Sequence, residues 1–272
     1  MCLAVIALDV HPRYVAVVAA NRDEYHARPA ERAHWWRDSA GHELLAGRDL
    51  EQGGTWLGVN RRGRFAFVTN VREPGRHDPA APSRGSLVPA VLADEANVQA
   101  SVDSAVRRGA RHNGFNVVAA EDGIAAFGSN RGPRLQTLRA GIHGVSNAWL
   151  DTPWPKLLRA KSGLAAWVAR EDADIDGLFD VLADRAAAPD HALPETGLGR
   201  ERERLLSSPF IVSPDYGTRC STVLLIGRDG VVRLHEQTFD ASGTRTGQVE
   251  ASFRIDGMAH ATPRVASATR VS

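Results

Sequence analysis

A thiol and a free amine on one residue can carry out acyl transfer, and this sequence offers that pair at its second position. Cys2 follows the initiator methionine. Aminopeptidases remove an initiator methionine when the next side chain is small, so Cys2 is expected to carry both its thiol and an α-amino group. An α-amine titrates near 7.7–8.0, roughly, and at neutral pH a useful fraction is a free base. A thiol with a pKa of about 8.5 is only slightly ionised at pH 7, so a base on the same residue matters. Against this stands a plainer reading. Cysteine is a small hydrophobe, and Cys2 could simply begin a buried strand.

Four polar residues, Asn21-Arg22-Asp23-Glu24, interrupt the apolar run that ends at Ala20. If 2–8 and 14–20 form a hairpin across the turn Asp9–Arg13, the end of the second strand lies beside the start of the first. Cys2 and Asn21–Glu24 then become neighbours. A carboxylate there can hold and orient the α-ammonium, and an arginine there favours the thiolate. A solvated turn after a strand explains the same residues equally well.

Acyl transfer also needs donors for the developing oxyanion. Two asparagines fall at expected strand ends, Asn70 in VTNV and Asn147 in VSNA, and Arg219 precedes the last expected hairpin. Singly, each such residue is more often structural, with Asn capping a turn or helix. The tryptophans Trp35, Trp36 and Trp56 can line an acyl pocket, or serve the core.

The elements that must position these groups are mostly short strands. Hairpins are expected at 2–20, at 54–69 around Asn60–Gly63, and at 221–237 around Gly227–Gly230. Further strands are expected at 114–120, 124–128, 135–138 and 142–146. Helical spacing covers 86–109, 154–170 (with Asp151-Thr152-Pro153 as its start) and 174–185. Residues 25–46, 73–84 and 188–198 read as irregular, and the segment 257–272 as a disordered tail. Strand sets alternating with helix pairs predict an α+β fold, two antiparallel sheets between helices, as a single domain over residues 1–256.

Composition narrows the function classes. The chain has 272 residues, 43% hydrophobic and 24% charged, with a net charge of +1. This suits a large buried core and gives no case for a nucleic-acid surface. No apolar run approaches the roughly 20 residues that span a bilayer. Two cysteines, Cys2 and Cys220, make no disulfide framework, and with no signal peptide visible the expected compartment is the cytoplasm. Ten histidines are scattered without metal-ligand spacing, so no metal site and no required cofactor is expected. His11, before a proline in a turn, and His34, beside two tryptophans, read as structural.

Taken together, MCL, AANRDE, LAGRDLEQGGTWLGVN, GRFAFVTNVR, SRGSLV, GVSNAWLDTPWPK and YGTRCSTVLL resemble the NRDE protein family, also called the transport-and-Golgi-organisation protein 2 family. The likeness spans roughly residues 1–238, and the family pattern has serine where Cys220 stands. That family is in turn similar to the cysteine N-terminal-nucleophile hydrolases, such as bile salt hydrolases and penicillin V acylases, which are αββα sandwiches. The resemblance implies Cys2 as nucleophile, Asp23 as ligand of the α-amine, Asn70 and Asn147 at the oxyanion, and Arg219 near the thiol. The hydrolases keep an arginine three residues before the aspartate, where this chain has Ala20. Arg22 is expected on the opposite strand face, reaching in only from a bent strand end.

The resemblance also admits other activities. Eukaryotic members of the family are associated with haem trafficking and with mitochondrial and lipid metabolism. Three readings follow. The first is an acyl hydrolase taking a small amide or thioester, with Asn21, Trp35, Trp36 and Trp56 around the substrate. The second is a haem carrier, which needs only one weak axial ligand and an apolar slot. The third is a lipid or acyl-CoA binding protein without turnover.

Overall fold

The structure is a computed structural model and describes residues 3–132, 134–170, 172 and 174–257. Among the described residues, thirteen strands form two antiparallel sheets, with helices on both outer faces. In the first sheet are β1 (Leu3–Leu8), β2 (Tyr14–Tyr25), β10 (Gly141–Val145), β11 (Tyr216–Gly227), β12 (Val231–Phe239) and β13 (Arg245–Arg254). Their spatial order is β10-β1-β2-β11-β12-β13. The second sheet runs in chain order through β3 (Ala30–Arg37), β4 (Glu43–Asp49), β5 (Leu57–Val59), β6 (Phe65–Asn70), β7 (Phe115–Glu121), β8 (Ile124–Ser129) and β9 (Gln136–Leu138).

Side-chain parity explains the layers. In β1 and β2 the even positions Ala4, Ile6, Val18 and Ala20 face the other sheet, with Leu57, Phe65 and Phe67 across from them. The odd positions Leu3, Val5, Val17 and Ala19 pack on α3 (Pro155–Val168) and α4 (Asp176–Leu182). Strands covered on both faces must be apolar on both, hence the unbroken runs LAVIAL and VAVVAA. The second sheet turns Ala46, Ala66, Val68 and Val117 towards α1 (Leu87–Ala93) and α2 (Val98–Arg108). The result is the expected αββα sandwich. Among the described residues, no helix is long and apolar enough to cross a membrane.

Several segments differ from expectation. The stretch expected to be irregular, 25–46, holds the end of β2, all of β3 and part of β4. A register shift between Glu31 and His34 breaks its period-two pattern, and that pattern is what a sequence reading relies on. The helical stretch 86–109 is two helices, because Asn97 stops the first path and caps α2 by accepting from the Ala100 amide at 2.9 Å. α3 starts at Pro155, with Trp154 and not Asp151 preceding it. Asp151 sits instead in a left-handed turn at φ 54°. A short helix, α5 (Arg200–Leu205), and the edge strand β13 were not expected. Of the proposed tail 257–272, all but Gly257 lies outside the described residues.

Candidate functional site

Cys2 lies outside the described residues, so the site is built from what surrounds its chain neighbour. Leu3 opens β1 and pairs with Asn21, while on the other side of β2 Asn21 pairs with Ser221 and Arg22 with Cys220. The hairpin expected between 2–8 and 14–20 therefore forms, and its register brings the first strand to the polar end of the second.

The four residues 21–24 divide by face. Asn21 is fully buried on the helix side, where its Nδ2 donates to the Leu182 and Pro209 carbonyls at 2.8 and 2.9 Å. Its Oδ1 accepts the Ser221 hydroxyl at 2.6 Å. Asn21 is thus committed to joining sheet and helix layer, and lines no cavity wall as a substrate ligand would. Arg22 lies two residues after Ala20 and shares its face, so the expected opposite orientation is wrong. It enters the space between the sheets, 4% exposed, with its guanidinium 4.4 Å over the Trp56 ring. Asp23 is buried, and its Oδ1 accepts the Thr218 hydroxyl at 2.7 Å. Thr218 had no signal in the sequence beyond its place in YGTRCST.

These ends open into a cavity of about 920 Å³. Arg22, Asp23, Trp56, Asn70 and Asn147 all line it. Here Asn147 donates from Nδ2 to the Asn70 Oδ1 at 2.9 Å, and its own Oδ1 accepts the ammonium of Lys156 at 3.2 Å. Lys156, 2% exposed in the first turn of α3, is a residue that sequence reasoning missed. In the helical spacing of 154–170 nothing sets it apart from the other basic residues. A cation at a helix N-terminus opposes the helix dipole, so its burial there needs the asparagine oxygen. The arrangement is a directional relay, ammonium to amide to amide, that polarises the Asn70 side chain.

The turn presenting Asn147 is fixed by Asp151. Its Oδ1 accepts the Gly144 amide at 2.8 Å and the Lys161 ammonium at 2.5 Å, and its Oδ2 pairs with His143 at 3.2 Å. Burial alone would raise the Asp151 pKa, but the bonds from His143 and Lys161 outweigh it and hold it low. The Asp151 bond raises His143 above its ordinary value against the opposing effect of burial.

A second wall comes from the long connection before β11. Leu198, Leu205 and Leu206 line the cavity, and α5 is tied down by Glu203. Glu203 forms an ion pair with Arg72, both side chains under a tenth exposed, and accepts the hydroxyl and amide of Thr196. Arg72 also lies 4.6 Å over Trp154, and its amide donates to the Asn147 carbonyl at 2.7 Å. On the opposite rim the motif pieces QGGTW and SRGS touch. A Cβ on Gly54 would meet the Gly85 backbone at 2.4 Å, so that crossing requires glycine.

The remaining expected site residues lie elsewhere. Trp36 belongs to the core under α1 and α2, donating to the Ala46 carbonyl. Trp35 packs edge-on to Phe253 beneath Arg61. Only Trp56 of the three lines the large cavity. Arg219 stands on a bulge between Thr218 and Cys220 and lines a separate cavity of about 190 Å³, which shares Arg22 and Trp56 with the first. The second thiol, Cys220, faces that space fully buried. Burial first, and then the nearby Glu236, push its pKa well above the ordinary thiol range, so it is a poor nucleophile. Among the described residues, no three His, Cys, Asp or Glu side chains gather as a metal site.

The layering and the site opening between sheet ends define an N-terminal-nucleophile-hydrolase-like αββα fold. A conjugated bile acid hydrolase from Clostridium perfringens has the same architecture. Its TM-score is 0.51 over 95% of this chain and 94% of that one, at 10% identity, a likeness of fold alone. The family model described as Transport and Golgi organisation 2 matches residues 1–241, and the chain belongs to that family. It is 37% identical over 280 residues to the Transport and Golgi organization protein 2 homolog of Bos taurus, covering 94% of this chain and 99% of that one. The Homo sapiens homolog is 35% identical, over 88% and 93% of the two chains.

Proposed function

We propose that this protein is an N-terminal-cysteine acyl hydrolase acting on a small amide or thioester, with Cys2 as nucleophile. The observation that carries the reading is the β1–β2 register. Leu3, the next residue after Cys2, pairs with Asn21, and the two residues that follow Asn21 line a large cavity beside paired asparagines. In this mechanism Asp23 orients the α-amine, which takes the thiol proton, and Arg22 favours the thiolate. Sulfur attacks the carbonyl carbon, a C–S bond forms, and the carbonyl π pair moves onto oxygen. The Asn70 amide, polarised by Lys156 through Asn147, stabilises that charge. Collapse expels the amine or thiol, which takes the proton from the ammonium, and water then releases the acid.

Intact-mass measurement combined with iodoacetamide kinetics tests the reading. Expected are loss of Met1, alkylation of Cys2 faster than free cysteine at neutral pH, and a slower rate in Asp23→Ala and Asp23→Asn. Retained Met1, or a Cys2 rate equal to that of free cysteine, overturns it.

The carrier reading has one observation in its favour. A cavity of about 920 Å³ exceeds what a small amide fills. Yet Trp35 and Trp36 stand away from it, which removes two of the three expected walls of an apolar slot. Haem titration of wild type and Cys2→Ala decides this: unchanged visible spectra remove the carrier reading, and tight binding by the mutant favours it over catalysis.

A further inference from the structure

We propose that the smaller cavity is an oxyanion pocket, built to hold a carboxylate or phosphate group between Arg22 and Arg219. Two buried guanidinium donors, Nη1 of Arg22 and Nε of Arg219, have no hydrogen-bond acceptor among the described residues, and both residues line this space. Buried donors are nearly always satisfied, and charged ones most stringently. Neither arginine is loose. Arg22 is clamped on Trp56, and Nη1 of Arg219 donates to the Tyr25, His26 and Arg28 carbonyls at 2.9, 3.0 and 3.2 Å. The bulge in β11 is what turns Arg219 out of the strand pattern towards its partner.

The two cations oppose each other. Burial, and then the charge of Arg22, lower the Arg219 pKa. The carboxylates nearby offset them in part, Glu236 acting on Arg22 and Glu24 on Arg219, but neither accepts a hydrogen bond from the two unpaired donors. Glu236 is engaged elsewhere: its Oε1 accepts the Ala33 amide at 2.8 Å and its Oε2 the Thr222 hydroxyl at 3.2 Å. Glu31, on the rim, pairs with His34 at 3.6 Å. An oxyanion bridging the two guanidinium groups supplies both missing acceptors and offsets the repulsion, in the geometry that arginine recognises best. Size limits the occupant. A space of about 190 Å³ is enough for one acidic group.

The pocket shares Arg22 with the proposed thiol site, so the test uses full-length Cys2→Ala protein, in which binding is read without turnover. Calorimetric titration with inorganic phosphate at fixed ionic strength is expected to show saturable binding. Arg219→Gln should weaken it by about tenfold or more. Thr238→Leu, which fills the cavity wall and keeps both arginines, should do the same and covers the case in which Arg219→Gln fails to fold. Arg84→Gln, which lines only the large cavity, should leave the affinity unchanged. Competition separates the two sources of the anion. Displacement of phosphate by succinamate but not by butyramide identifies the acid end of an acyl ligand. Phosphate binding that neither displaces identifies a free phosphate. Absence of binding by both phosphate and succinamate overturns the pocket, as does loss of binding in Arg84→Gln with none in Thr238→Leu.

Discussion

Removing the Glu203 carboxylate should loosen one wall of the large cavity. In Glu203→Ala, Arg72 loses the carboxylate that neutralises it in a site where its side chain is only 8% exposed. Thr196 loses the acceptor of both its hydroxyl and its amide. Removing one member of a buried ion pair costs about 3–5 kcal/mol, because the partner charge stays desolvated. Cation–π attraction to the Trp154 face retains about 0.5–2 kcal/mol of that. At about 2–4 °C per kcal/mol for a chain of this size, the melting temperature falls by roughly 6–20 °C if the wall unfolds with the rest. If α5 opens on its own, the loss is capped and appears as lost amide protection confined to residues 196–206. Differential scanning fluorimetry with hydrogen exchange separates the two. The double variant Arg72→Met/Glu203→Leu, which removes both charges, should recover to within about 1 kcal/mol of wild type. A Glu203→Ala protein that melts within 2 °C of wild type, roughly, with α5 protection intact would refute the reasoning.

Two further outcomes can be checked directly. Lys156→Met keeps the buried stem but removes the ammonium from Asn147, so acylation of Cys2 by an activated thioester should slow about tenfold, less than the ~10²–10³ lost with a direct oxyanion donor. An unchanged rate in a folded variant would show that the relay does not reach the reaction. The His143–Asp151 pair should give a pH signature. His143 is raised above 6.5, so its stabilisation is full below that value and is lost as pH rises through the folded value. The stability gap between wild type and His143→Gln, from urea midpoints, should therefore shrink between about pH 6 and pH 8. His11, His112 and His235 are lowered mainly by burial and act in the opposite sense, so the gap, rather than the wild-type curve, is the readout. A constant gap would sink the assignment.

What could be read in the sequence followed from local pattern. The unbroken apolar runs 2–8 and 14–20 marked β1 and β2, and the turn residues Asn60–Gly63 marked β5 and β6. What could not be read depended on contacts distant in sequence. β13 is an edge strand in which exposed Gln248, Glu250 and Ser252 alternate with half-buried Val249, Ala251 and Phe253, and its pairing with β12 lies beyond the last hairpin that the turn residues mark. Lys156 is buried because Asn147 offers an oxygen, which no helical periodicity reveals. The face of Arg22 was legible, since it lies two residues from Ala20, but the bulge that takes Arg219 out of the strand pattern leaves no mark in the spacing. Asp23 was legible as a candidate, and Thr218, which holds it, was not.

The two sheets also differ in how they can be made. The second, β3 to β9, is contiguous from Ala30 to Leu138 and every pairing in it joins neighbours in the chain. The first draws β1 and β2 from the beginning and β11 from nearly 200 residues later, with Asn21 opposite Ser221. At ribosomal rates of about 5–20 residues per second, β2 waits roughly 10–40 s for its partner. During biosynthesis the second sheet can close while the apolar hairpin that leads to the cavity still lacks both flanking strands. The sheet that brings Arg22 and Asp23 to the cavity is the one completed last, and its apolar hairpin is the surface left open longest during synthesis.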